Sequence, residues 1–448
     1  MINETEIQLL KEALQTLESG FSDLPEFTPA FDATAAATVL QTVAERMQDN
    51  YPYHHPQYVG QMLKPPHPIA RMAYALSLWI NPNNHALDGG RASSAMEKEC
   101  ILELGGLFNW SQPLGHLTGG GTMANLEALW VAGQLHPGKR IVASEQAHYT
   151  HSRISEVLRL PFSSVPADSD GRMDVSALRK SLASSDVGTV VATIGTTGFG
   201  AVDPLPEILE LRNEFDFRLH VDAAYGGYFG LASELGDSAR ASFERLDEAD
   251  SIVIDPHKHG LQPYGCGCVM FKDTRVGRLY KHGSPYTYFT SGDLHLGEIG
   301  LECSRPGAAA VALWATQQLL PLVPGGEFAN SLDDCLLAAR EFRRKLESSL
   351  QFTPLMQPEL DIVVYAANAA DSETASRLAR RVFDRAAGNG LHLALIEVAP
   401  HVVLEYVPNL VVTSEPVTCL RSVLMKQEHR EWLQRIVELL EQSAAEVA

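Results

Sequence analysis

From residue 140 onward, short β-branched runs alternate with stretches whose apolar residues recur every three or four positions, the rhythm of strands followed by helices. Strands are predicted at 140–144, 163–166, 189–194 and 217–222, with helices at 152–158, 175–182 and 205–215. Units of this length build an α/β fold, a mostly parallel sheet with helices on both faces, in which ligands sit beyond the carboxyl ends of the strands. Two more runs, Ile252-Val253-Ile254 and Cys268-Val269-Met270-Phe271, flank a turn entered at Pro256 and containing Gly260, Gly265 and Gly267. Upstream, apolar stripes predict helices over 2–18 and 34–47, and Ser94 and Glu97 stand at the spacing of a capping box for a helix over 93–107. The prolines at 52, 56, 65, 66 and 68 exclude regular structure from the arm between these segments. Pro321, Pro324, Gly325 and Gly326 mark a boundary. Beyond it, helices at 327–350, 371–388 and 427–446 and strands at 361–366, 392–397, 402–406 and 418–425 form a second unit. The expected division is therefore an N-terminal helical segment and arm (1–92), a large domain (93–325) and a small C-terminal domain (326–448).

Composition narrows the partners. A formal net charge of −20 without any Lys/Arg-rich block argues against nucleic acid and against an anionic membrane surface. No apolar run is long enough to span a bilayer, and the acidic start lacks the pattern of a signal peptide, so a cytoplasmic location is expected. The six cysteines are scattered without metal-type spacing and read as reduced thiols, so no metal site is expected.

Four features gather at the strand ends. Gly119-Gly120-Gly121-Thr122 opens a helix, where backbone N–H groups and the helix terminus attract an anion, although a glycine turn alone is equally explained by flexibility. His148 supplies a flat ring, and Asp222 ends a buried strand. Lys258 follows the run ending at Ile254, where desolvation and neighbouring cations lower an amine's pKa and an uncharged amine can attack an aldehyde; a lone lysine on a turn is otherwise a surface residue. Pyridoxal phosphate needs all four: donors for its phosphate, a stacking partner, an anion for its ring nitrogen and an amine for its aldehyde.

At this point the chain resembles the group II pyridoxal-phosphate amino acid decarboxylases, the family of glutamate, aromatic amino acid, histidine and archaeal tyrosine decarboxylases. The motifs are Leu117 to Ala128, Ser144-Glu145-Gln146-Ala147-His148-Tyr149, His220-Val221-Asp222-Ala223-Ala224-Tyr225-Gly226-Gly227 and Asp255-Pro256-His257-Lys258, within a resemblance running from about residue 50 to 320. It implies pyridoxal 5'-phosphate as cofactor, an aspartate aminotransferase-like fold (fold type I), a homodimer with the site at the subunit interface, and decarboxylation of an L-amino acid. Position by position, it implies that Lys258 carries the cofactor and His257, Gly121 and Thr122 hold its phosphate. His148 and Ala224 cover the two faces of the ring, and Asp222 pairs with its nitrogen. Thr196 is implied near the ring oxygen or the substrate carboxylate, and Gln61 and Arg421 at the substrate; for the proton returned to Cα, a tyrosine of the loop after Val276 is expected, Tyr286 with Tyr288 as the alternative. The chain departs from many relatives at Lys426-Gln427, where they carry an Asn-Pro pair. Glutamate-type and tyrosine-type hints conflict, so the substrate stays open, as do other fold-type-I chemistry and a non-catalytic cofactor-binding protein.

Overall fold

The computed structural model describes residues 4–184, 186–281 and 295–447. Strands β1 (Leu114–Thr118), β2 (Arg140–Ser144), β3 (Phe162–Val165), β4 (Val187–Thr193), β5 (Arg218–Asp222), β6 (Ser251–Ile254) and β7 (Gly267–Phe271) form one sheet in the order β1-β7-β6-β5-β4-β2-β3. Neighbours are parallel except for β7, which runs antiparallel to both β1 and β6. Every residue of β1, β4, β5, β6 and β7 is buried, as expected of strands covered on both faces, and β6 and β7 carry the apolar runs read from the sequence. The reversal of β7 brings its amino end to the edge where β1, β5 and β6 end. There Gly267 meets the backbone of Gly120 so closely that a Cβ at 267 has no room. The lysine turn and the glycine turn are thus pressed together.

A second, antiparallel sheet of β8 (Phe352–Pro354), β9 (Ile362–Ala367), β10 (Ala394–Val398) and β11 (Val417–Val423) lies in the order β10-β11-β9-β8. Helices Glu327–Glu347, Ser372–Gly388 and His429–Ala445 accompany it, close to the expected limits. One strand expectation fails: 402–406 lies within a helix, Pro400–Tyr406, because Pro400 presets the first turn and only Val403 of that helix turns into the core. The capping box fails as well. The helix Arg91–Gly106 has no side-chain cap, and Ser94 and Glu97 are buried inside it, with Glu97 bound to Arg305 at 2.6 Å.

The arm is irregular up to the helix Pro68–Ser77, and its backbone groups find partners in both units. Val59 N–H donates to His392 O (2.9 Å), Val423 N–H to Val59 O (2.8 Å), and His67 N–H to Leu261 O (2.9 Å). Side chains add to this seam: Lys426 Nζ donates to Tyr58 O (2.7 Å), Lys64 Nζ to Met425 O (3.0 Å) and Tyr264 OH to Met62 O (3.0 Å). Burial, and after it the charge of Lys64, pushes the Lys426 ammonium down to about 7. Between that value and the ordinary ~10.4 of a lysine the unfolded chain binds the extra proton, so stability rises with pH across this window, at a slope of ~1.4 kcal/mol for each step of one in pH. Thermal unfolding at pH 7 and pH 9.5 should therefore show the wild type gaining stability relative to Lys426→Met; parallel pH dependences would refute the assignment.

Candidate active site

The sharp end of β6 creates the lysine turn. Pro256 cannot extend the ladder, and Lys258 N–H closes onto Asp255 O at 2.9 Å. Lys258 Nζ then lies 3.1 Å from Asp255 Oδ2, so its nearest charge is an anion rather than the cations expected from the sequence. The same oxygen is 3.6 Å from His257 Nε2, and burial pushes the His257 imidazole below its ordinary value against the pull of Asp255. A Cβ on Gly121 would stand 2.6 Å from Asp255 Oδ2, which explains the glycine at that position.

Across the cavity, β5 delivers Asp222. Its Oδ2 is 2.8 Å from His151 Nε2 and accepts from Asn125 Nδ2 (3.3 Å), while Oδ1 accepts from Ala224 N–H (3.1 Å). Burial alone would raise this carboxyl, but the His151 hydrogen bond and the charges of His151 and Lys258 outweigh it and hold it well below the usual carboxylate range. Behind it, His220 Nε2 meets Asn125 Oδ1 at 2.8 Å and His220 Nδ1 meets Ser251 Oγ at 2.9 Å. Burial pushes His220 down to about 3, so the ring is neutral. With Asn125 donating to Asp222, Asn125 Oδ1 accepts, His220 carries its proton on Nε2, and Ser251 donates to Nδ1.

A cavity of about 680 Å³ joins these parts, lined by Gly121, Thr122, His148, Ala224, Asp222, His257 and Lys258 among others. Gly120 takes φ +148°, which turns the chain into the helix Gly121–Leu135, and the N–H groups of Gly121 and Thr122 have no acceptor among the described residues. Glu302 accepts from Gly119 N–H at 2.9 Å beside them. His148 is held by Thr150, whose N–H donates to Nδ1 (3.3 Å) and whose hydroxyl lies 2.8 Å from it, and burial lowers its pKa. Thr196 differs from expectation. It ends up fully buried with Oγ1 accepting from Ala201 N–H (3.0 Å), so its hydroxyl serves the β4 turn and its neighbour Thr197 lines the cavity instead. Arg421, buried on β11, reaches the same wall: it donates to Thr197 O (3.1 Å) and Gln61 Oε1 (3.1 Å) and meets no carboxylate among the described residues. Tyr286 and Tyr288 lie outside the described residues.

The family model described as the pyridoxal-dependent decarboxylase conserved domain matches residues 129–368, more than half of the chain. The chain belongs to this family. A relative named as a probable L-tyrosine/L-aspartate decarboxylase, from Methanothermobacter thermautotrophicus, is 30% identical over 70% of this chain and 84% of its own. The L-tyrosine decarboxylase of Enterococcus faecium is 28% identical over 81% and 79%. Among solved structures, Oryza sativa TDC with PLP and tryptamine superposes with a TM-score of 0.81 at 17% identity, covering 99% of both chains, a likeness of fold. The protein is a pyridoxal-phosphate-dependent amino acid decarboxylase of fold type I.

The residues of this pyridoxal-dependent decarboxylase fit the cofactor on their own terms. Two unpartnered N–H groups at a helix start suit a phosphate, and an enforced carboxylate opposite an amine suits the two ends of a pyridoxal ring. Sequence reasoning missed Asp255, His151 and Asn125. Their signals were spacing: Asp255 precedes Lys258 by one turn, His151 follows His148 by one turn, and Asn125 stands one turn after Gly121.

Proposed function

We propose that Lys258 would hold the cofactor through its aldehyde and that Asp222 would hold the proton on its pyridine nitrogen. The observation that carries this reading is the meeting of Lys258 and an enforced Asp222 carboxylate in one cavity. In the same reading Gly121, Thr122 and His257 bind the phosphate, and His148 and Ala224 pack on the ring. Arg421, steadied by Gln61, pairs with a substrate carboxylate, since a buried guanidinium without an anion is costly until one arrives. Thr196 acts only through the turn that sets Thr197. Bound pyridoxal phosphate supplies the sink for the electron pair left when carbon dioxide departs. The chain's task is to orient the scissile bond, exclude water and return one proton to Cα.

For that proton we propose Tyr286. Tyr286→Phe is expected to leave carbon dioxide release measurable while shifting product from amine to aldehyde, read by chromatography of both products; an unchanged amine yield removes Tyr286 from the mechanism. L-Tyrosine and L-aspartate, the substrates in the relatives' names, are the first to assay for amine and carbon dioxide. Absence of both products across the twenty amino acids, with cofactor bound, would overturn the proposed roles.

We also propose a cytoplasmic homodimer, with the three-part division at 92/93 and 325/326. Helices Glu4–Ser19 and Ala33–Met47 bury no residue, and Ile7, Val39, Leu40, Val43 and Met47 stand exposed. An apolar face of this kind is stable in water when covered, and a second copy is the cover we assign. Six free thiols, five of them buried, fit a reducing compartment. No helix among the described residues is long and apolar enough to cross a membrane.

A further inference from the structure

Asp361 stands just before β9, wholly buried, and its two oxygens face two different turns of the large sheet. Oδ1 accepts from Tyr225 OH at 2.6 Å, and Oδ2 lies 3.2 Å from His259 Nε2. Tyr225 belongs to the turn opened by Asp222, and His259 is the residue after Lys258. The Tyr225 and His259 rings meet edge to face at 4.9 Å, and the Phe229 ring also meets His259 edge to face, at 4.7 Å. The imidazole is therefore boxed in by two rings and one carboxylate. Burial alone would raise the Asp361 carboxyl, but the facing His259, the Tyr225 hydroxyl and the nearby Lys64 outweigh it and hold it below the usual range, so it is an anion.

The same residue is tied to the substrate side through its backbone. β9 pairs with β11, where Val364 stands opposite Arg421, and Leu424 N–H donates to Asp361 O at 2.8 Å. We infer that Asp361 is a positioning residue for decarboxylation: through Tyr225 and His259 it fixes where Arg421 and the substrate carboxylate stand relative to Lys258. This rests on the roles proposed above for Lys258 and Arg421. Neither His259 nor Asp361 is among the residues lining the cavity, and Tyr225 lines it while giving its hydroxyl to Asp361, so the effect is exerted through placement.

The test uses the holoenzyme. Asp361→Asn keeps the shape and an acceptor for Tyr225 but removes the charge facing His259. Its cofactor should still be fixed to Lys258 by borohydride at one per chain, while kcat falls ~10²-fold, the scale expected when a reacting group is misplaced by about an ångström. The ratio of carbonyl product to amine should rise, a change that a loss of stability alone does not produce. Tyr225→Phe removes the hydroxyl that the Asn side chain can still accept, so it breaks the other arm and should act in the same direction, and the double variant should be at least as impaired as either single one. A kcat within threefold of wild type or an unchanged product ratio would overturn the inference. If Asp361→Asn does not fold, Tyr225→Phe carries the same product-ratio criterion. Failure of borohydride to label Lys258 in the wild type is a separate result, and it sinks the proposed lysine role instead.

Discussion

Lys258→Ala is expected to abolish turnover, lowering kcat/KM on the order of 10³-fold or more, the scale seen when a covalent catalytic group is deleted. The lysine's environment is local. It sits on a turn with one ionic partner among the described residues, Asp255 at 3.1 Å, and its side chain keeps about a fifth of its exposure, so its loss leaves the core intact. The variant should unfold within a few degrees of wild type while losing the borohydride-stable attachment, read by intact-protein mass. Removal of Lys258 does leave Asp255 and His257 facing each other at 3.6 Å without the amine between them. Any residual cofactor binding then reports the phosphate cradle and Asp222 alone. An active Lys258→Ala protein would require a different nucleophile and would dismantle the proposed site.

Asp222→Asn should be nearly as damaging, for a different reason. The substitution preserves an acceptor for Ala224 N–H but leaves His151 without its anion and leaves a bound pyridine nitrogen without a charge to hold its proton. Breaking a buried charge pair costs ~3–5 kcal/mol, which corresponds to a ~10²–10⁴-fold loss in kcat. Since the wild-type carboxyl is held well below its ordinary range, its own titration should leave no acid limb in the activity profile near pH 4. Rate measurements from pH 5 to 8 on the variant separate the two contributions: a uniform drop points to the missing charge, and recovery at low pH points to protonation supplied by solvent. A variant with wild-type kcat would remove Asp222 from catalysis.

Much of this site is legible in the sequence because its parts occupy strand ends. Asp222 ends β5, Lys258 and the glycine turn follow β6 and β1, and the apolar run Ile252-Val253-Ile254 that stops before Pro256 is the plainest of these signals. What stays hidden depends on direction within a turn or on distant pairing. Thr196 and Thr197 are adjacent and chemically alike, and it is the turn after β4, with φ +94° at Gly195 and Ala201 N–H on Thr196 Oγ1, that decides which of them lines the cavity. The capping-box reading of Ser94 and Glu97 is locally sound, but Arg305, 208 residues after Glu97, claims that carboxylate in the core. The strand expected at 402–406 shows the same limit, because a short apolar run with one buried position suits either geometry.

The seam between the arm and the C-terminal sheet has a consequence for biosynthesis. Lys64 and Tyr58 leave the ribosome 361 and 368 residues ahead of Met425 and Lys426, the partners that fasten them. Until those late residues emerge, Gln61 and Arg421 have not met, and the wall proposed above for a substrate carboxylate is incomplete. Translation order thus makes the Gln61–Arg421 contact one of the last this chain forms.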